Sequence, residues 1–225
     1  MQNMIKPIIC PVTPIMPKVV VNKLTESTVQ TVLTVLSALA VIGTSVLIGW
    51  VLTKVMREKG FISNPTLNPV LSGAMGLCLF LRFGISVELI QGLFLFFVLL
   101  YASMSDLTTH TVDDFVWITV FALAISSIPT IGLTSMLVGG LFVFIPQMAL
   151  ALIPPHKTLG GADIKLATAL AFLLGTLRGI GAYMAGLILA VVIISIYHRK
   201  KNCNTKQPFA LVPFLSIGAM ILFFV

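Results

Sequence analysis

The chain has 225 residues, of which 58% are hydrophobic and only 9% charged, and its mean hydropathy is +1.08. A soluble domain carries charge on about a quarter of its residues, so these figures exclude one and define an all-α polytopic membrane protein. The formal net charge of +7 does not mark a nucleic-acid binder, because the basic residues lie in short loops and not along one helix face.

Residues 1–31, beginning "MQNMIKPIICPVTPIMPKVVVNK", carry prolines inside their apolar part and lack a clean apolar core with a small-residue cleavage site. They read as a tail or surface-lying segment and not as a signal peptide. Residues 32–225 form the transmembrane domain. A crossing needs about 20 mostly apolar residues, fewer where the bilayer thins. On that scale about eight transmembrane helices are expected. In chain order they are Val32 to Leu52, Pro69 to Phe83, Ile85 to Ser105, Phe115 to Ile128, Ile131 to Ile153, Leu166 to Leu177, Ile180 to Tyr197 and Phe209 to Val225. The separators carry turn chemistry or charge, as in "RFG", "DLTTHTVDD", "SSIPT" and "PPHKTLGGADIK".

Alternate connections divide the basic residues unevenly. One side holds Lys54, Arg57, Lys59, Lys157, Lys165, Arg199, Lys200, Lys201 and Lys206, the other only Arg82 and Arg178. Lys and Arg are retained on the cytoplasmic side, which makes the first side the cytoplasm. Lys6, Lys18 and Lys23 in the tail argue the other way. With this orientation Asp106, ending the third span, and Asp163, starting the sixth, reach the same cytoplasmic face. The sixth span is short: at 1.5 Å per residue it reaches roughly 18 Å of a hydrocarbon core near 30 Å. Either the bilayer thins there, or the helix starts below the surface and takes Asp163 with it.

The seven acidic residues can be weighed one at a time. Glu26, Glu58 and Glu88 lie in the tail or near span ends, where a charge is simply solvated. Asp113 and Asp114 precede "FVWITVFALAI" and read as caps for its free amides. Asp106 follows "LFLFFVLLYASMS", and Asp163 follows two glycines and precedes a helix. Either alone reads equally well as a charge at the water surface; two on one face, each at a helix end, suggest a site. Paired carboxylates cannot both ionise cheaply, so the charged one can take a proton from water while the protonated one polarises a carbonyl. That chemistry hydrolyses a peptide without metal or covalent nucleophile. Gly160, Gly161 and Ala162 fit as a backbone that an extended substrate can approach, and an ordinary loop is the competing explanation.

Other hydrolytic sets are missing. There is no HExxH or GxSxG, and His110, His156 and His198 lie on three separate loops. Cys10, Cys78 and Cys203 form no CxxC pair, so no metal site, disulfide framework or cofactor is expected. His110 and Lys165 are close enough in sequence to Asp106 and Asp163 to tune them. Lys165 is better explained by snorkelling to headgroups.

These residues resemble a known family, the type IV prepilin peptidases. "YASMSDLTTHTVDDF" is similar to their first aspartate motif, and "GGADIKLATALAFLLG" to their second, a GxGD-type signature. "NPVLSGAMGLCLFLRFGIS" and "QPFALVPFLSIGA" resemble the segments at either end, so the likeness runs from about residue 68 to 225. The resemblance implies a membrane aspartic endopeptidase in which Asp106 and Asp163 are catalytic. Its partner would be a type IV prepilin or pseudopilin-like precursor whose basic leader it removes at the cytoplasmic face of the inner membrane, among membrane lipids. Two departures stand out. Ala162 replaces the second glycine of GxGD, which requires a negative φ there, and Asp113-Asp114 stands where Pro-Asn is common. The family's larger members carry a cysteine-bearing cytoplasmic domain linked to N-methylation, whereas "KVMREKGFISNPTL" holds its place here. A short, peptidase-only form is therefore expected. An archaeal preflagellin-type peptidase shares the aspartate pair, and a presenilin-like protease is more distant. A cation- or proton-coupled transporter using both aspartates is the alternative from another class, and it should place one of them near mid-membrane.

Overall fold

The structure is a computed structural model that describes residues 18–61, 64–152, 160–201 and 210–225. The described residues form eight helices and no strand. They are α1 (Lys18–Glu58), α2 (Leu67–Phe83), α3 (Val87–Thr109), α4 (Asp114–Ile125), α5 (Ile128–Ile131), α6 (Leu133–Leu152), α7 (Gly161–Lys201) and α8 (Val212–Phe224). The chain divides into two units, Met1–Ala40 and Val41–Val225. The first contributes the start of α1, and the contacts and sites described below lie in the second.

Among the described residues four helices are long and apolar enough to cross a membrane: Thr28–Glu58, Val87–Thr109, Leu133–Leu152 and Gly161–Ile196. Leu67–Phe83, Asp114–Ile125 and Val212–Phe224 are shorter apolar helices, so length and composition give four candidate crossings among the described residues against the eight or so expected. Part of the difference lies in α7. It takes in both the sixth and seventh expected spans and is broken at Gly175, where φ is 78° and ψ −174°. The break falls at Gly175 and not at the expected Arg178-Gly179.

Gly175 is required by both backbone and space. Positive φ is costly for a residue with a Cβ, and a Cβ here would lie 2.6 Å from Ile131 Cγ2. The interrupted helix leaves amides without intrahelical partners, and α6 answers one of them. The Thr176 N–H donates to Ser135 Oγ at 3.1 Å, and Thr176 Oγ1 donates to the Ser135 carbonyl at 2.7 Å. Beyond the break the chain folds back, so closely that a Cβ on Gly179 would sit 2.7 Å from Ala171 Cα. Lipid tails are as apolar as leucine, so helices gain from close packing and not from escaping water, and small residues line the contacts. Gly139 of α6 packs on the Gly175 backbone, and Gly76 of α2 faces Ser45 of α1.

Helix α3 begins with Ser86, whose hydroxyl accepts from the Leu89 N–H at 3.2 Å, and carries Glu88 in its first turn. Its Leu95, Leu99 and Ala102 are buried among Val116 and Val120 of α4, Leu166 and Leu173 of α7, and Val212 of α8. This packing fixes the far end of α3, where Asp106 stands. Helix α6 turns Met136, Gly139, Gly140 and Val143 inward and leaves Leu137, Leu141 and Ile145 exposed, as a lipid-facing helix does.

Candidate active site

Asp106 lies in the last turn of α3 and is buried, with 6% of its surface exposed. The helix stops three residues later because His110 adopts the left-handed conformation, φ 52° and ψ 28°, and returns its N–H to the Asp106 carbonyl at 3.0 Å. The Asp106 side chain meets a second helix end. Its Oδ2 accepts from the Val212 N–H at 3.0 Å, and the Leu211 amide bonds it as well. Helix α8 starts here, with Pro213 in its first turn. Proline has no N–H, so the Leu211 and Val212 amides are among the few donors at this terminus, and a carboxylate is favoured at the positive end of the helix dipole.

Asp163 is held in a related way. It sits in the first turn of α7, is partly buried, and accepts a bond from the Gly160 N–H. A Cβ on Gly160 would stand only 3.0 Å from Asp163 Oδ2, whereas one on Gly161 would meet nothing within 4 Å. Gly160 thus makes room for the carboxylate, and Gly161 leaves open space beside it. Neither glycine has positive φ, and Ala162 is likewise outside the left-handed region, which meets the condition set by its methyl group.

The end of α3 and the start of α7 bring the two carboxylates within electrostatic reach of one another. His110 is within electrostatic reach of Asp106. Lys165 has a carboxylate partner of its own. Its Nζ pairs with Asp114 Oδ1 at 2.9 Å and lies 5.3 Å from the centre of the Trp117 ring. These contacts tie α7 to α4.

The two acids expected to cap α4 also have other partners. Asp113 occupies the N-cap position without a side-chain cap bond. Its Oδ2 instead accepts from the Tyr101 hydroxyl at 2.7 Å, and that hydroxyl accepts from Lys59 Nζ at 2.9 Å. The Tyr101 hydrogen bond holds the Lys59 ammonium above its ordinary pKa. Asp114 serves Lys165 and the Trp117 indole N–H, the latter at 2.8 Å.

Sequence reasoning missed Leu211, Val212 and Tyr101. Pro213 at a helix start was the available signal for the first two, since it marks a terminus with free amides. Leu159, His156, Lys157 and the Pro208-Phe209 pair lie outside the described residues. Among the described residues no group of three or more His, Cys, Asp or Glu could hold a metal ion. An apolar groove of about 430 Å³ opens between α2, α3 and α8. Its lining runs from Leu107 and Pro213, next in sequence to Asp106 and Val212, to Phe96 and Phe224.

The chain is thus helical, with apolar helices long enough to cross a membrane, and it brings two carboxylates at helix ends within electrostatic reach of each other. Residues 93–198 match the type IV leader peptidase family, a segment that contains both aspartates. This bears out the resemblance read from the two motifs and supports a type IV leader peptidase-like protease. No curated protein matches the chain, and no solved structure does.

Proposed function

We propose that the protein is an integral-membrane aspartic endopeptidase of the cytoplasmic membrane that removes the basic leader from type IV prepilin-like precursors, with Asp106 and Asp163 as its catalytic pair. The observation that carries this reading is the approach of the two carboxylates, one from the end of α3 and one from the start of α7, each oriented by backbone amides. The ionised member takes a proton from water as the oxygen attacks the scissile carbonyl. The protonated member donates to the carbonyl oxygen. Collapse of the tetrahedral intermediate breaks the C–N bond, and the amine leaves with a proton from the carboxyl that took one from water. Backbone amides that orient both acids beforehand lower the cost of reorganising them during the reaction.

The apolar groove supports the substrate side of this reading. A prepilin-like precursor continues past its leader as a hydrophobic helix, and a groove lined from Leu107, next in sequence to Asp106, would seat that helix with the scissile bond at the carboxylates. The positive-inside distribution of Lys and Arg supports a cytoplasmic position for this end of the bundle, where a basic leader is retained. Both aspartates sit at helix ends, which disfavours the transporter alternative. The deciding experiment is precursor cleavage in membranes by Asp106→Asn and Asp163→Asn. Substantial cleavage by either variant, at normal accumulation, overturns the two-aspartate mechanism.

A further inference from the structure

Near its end α1 presents Trp50, Thr53, Lys54, Arg57 and Glu58, spaced i, i+3, i+4, i+7 and i+8 and therefore on one face. With Pro65, just ahead of α2, they line an open cavity of about 470 Å³. Two of its lining residues, Lys54 and Arg57, are cations that form no ion pair among the described residues. Lys165–Asp114 is the sole ion pair among the described residues, and Lys54 contacts only an uncharged partner, the Trp50 ring, at 5.8 Å. Lys59 differs, being spent on Tyr101. The Thr53 hydroxyl is also spent, on the Gly49 carbonyl at 2.7 Å.

We propose that this cavity binds a phosphate-bearing anion through Lys54 and Arg57, and that the anion is the headgroup of an acidic phospholipid. Arg57 offers planar paired donors to two phosphate oxygens, and Lys54 a compact charge, a combination suited to phosphate. Glu58 on the same face leaves a net single positive charge. A phosphodiester with one negative charge fits that balance better than a doubly charged phosphomonoester. The lipid source follows from what lies along the helix. Leu47, one turn before Trp50, is 63% exposed, and Trp50 itself is half exposed. An indole with apolar surface on one side and cations on the other has the composition of a membrane–water interface. Basic pockets between helices at the cytoplasmic surface are suited to anionic headgroups. Acyl chains would then run down the apolar side of α1 below the phosphate.

The test uses the full chain in detergent, exposed to equal amounts of phosphatidylglycerol and phosphatidylcholine, with retained lipid read by native mass spectrometry. The wild type should retain phosphatidylglycerol with about tenfold preference, and Lys54→Gln/Arg57→Gln should lose it. Arg82→Gln, at the opposite end of α2, should keep the preference. Equal retention of both lipids by the wild type, or an unchanged preference in the double variant, overturns the proposal. Inorganic phosphate separates the two sources. If it displaces phosphatidylglycerol at equal concentration, the site is one for free phosphate and the lipid assignment falls. A second measurement needs no folded double variant: phosphatidylglycerol with brominated acyl chains should quench wild-type fluorescence more than Trp50→Phe fluorescence. Equal quenching places the lipid elsewhere.

Discussion

The Asp106 carboxylate accepts the Val212 amide proton at 3.0 Å, joining the last turn of α3 to the first turn of α8 across 106 positions of sequence. The bond gives Asp106 a structural duty beside its proposed catalytic one, and the two can be separated. Asparagine keeps an acceptor oxygen for Val212 but cannot take a proton from water. Asp106→Asn should therefore accumulate and unfold near wild type while cleavage falls about 10²–10⁴-fold, the usual worth of a general acid or base. Asp106→Ala should lose the same activity and, in addition, about 1–2 kcal/mol of stability through the unpaired amides. Thermal unfolding in detergent, measured beside cleavage, distinguishes the two variants. Equal stability of both would show that the contact with α8 contributes nothing.

Gly175 offers a prediction about the scaffold. Its φ of 78° and the 2.6 Å approach that a Cβ would make to Ile131 both oppose a side chain. Gly175→Ala should cost about 2 kcal/mol, from left-handed strain together with displacement of Ile131. The first part of α7 carries Asp163, so cleavage should fall along with the melting temperature. A variant as stable as the wild type would mean that the turn relaxes to another conformation.

Much of this architecture was legible before any coordinates. Long apolar runs and their separators located the helices, and the positions of Asp106 and Asp163 at helix ends followed from where those runs stop. The partners were not legible, because α4 and α8 are apolar all round and no face of either can be read from the pattern of its residues. Asp113 illustrates the limit. Its place before a helix predicts a cap, yet the Tyr101 hydroxyl, supplied by another helix, claims the carboxylate. Lys165 is near Asp163 in sequence, but on the helix it points to Asp114. The turn at Gly175 was hidden for a different reason: Arg178-Gly179 is the stronger local punctuation, and only packing against Ser135 selects the earlier glycine.

The Lys59–Tyr101–Asp113 chain ties the end of α1 to the entry of α4. Tyr101→Phe keeps the ring contacts with Phe61 and Phe115 and removes only the hydroxyl shared by Lys59 and Asp113. It should cost about 1 kcal/mol. The loop from His110 to Asp113 should exchange its amide hydrogens faster, while the interior of α3 stays protected. Hydrogen exchange by mass spectrometry reads both segments at once. Unchanged exchange in the loop would show that Tyr101 acts through its ring alone.

The last prediction concerns the proton that the two aspartates are proposed to share. With one carboxylate ionised and the other protonated, cleavage requires an intermediate protonation state of the pair. The rate must then fall on both sides of an optimum. On the acidic side the base is protonated and cannot take a proton from water; on the alkaline side the acid has lost the proton that the carbonyl oxygen needs. Because the carboxylates interact, the two limbs belong to the pair and not to Asp106 or Asp163 separately. The measurement is kcat/KM for a precursor peptide across a wide pH range in detergent, with stability checked at each pH so that unfolding is not mistaken for a limb. A rate that rises steadily with pH would mean that no shared proton is needed. The aspartates would then act only as bases or as charges, and the proposed roles of the pair would have to be abandoned even if both proved essential.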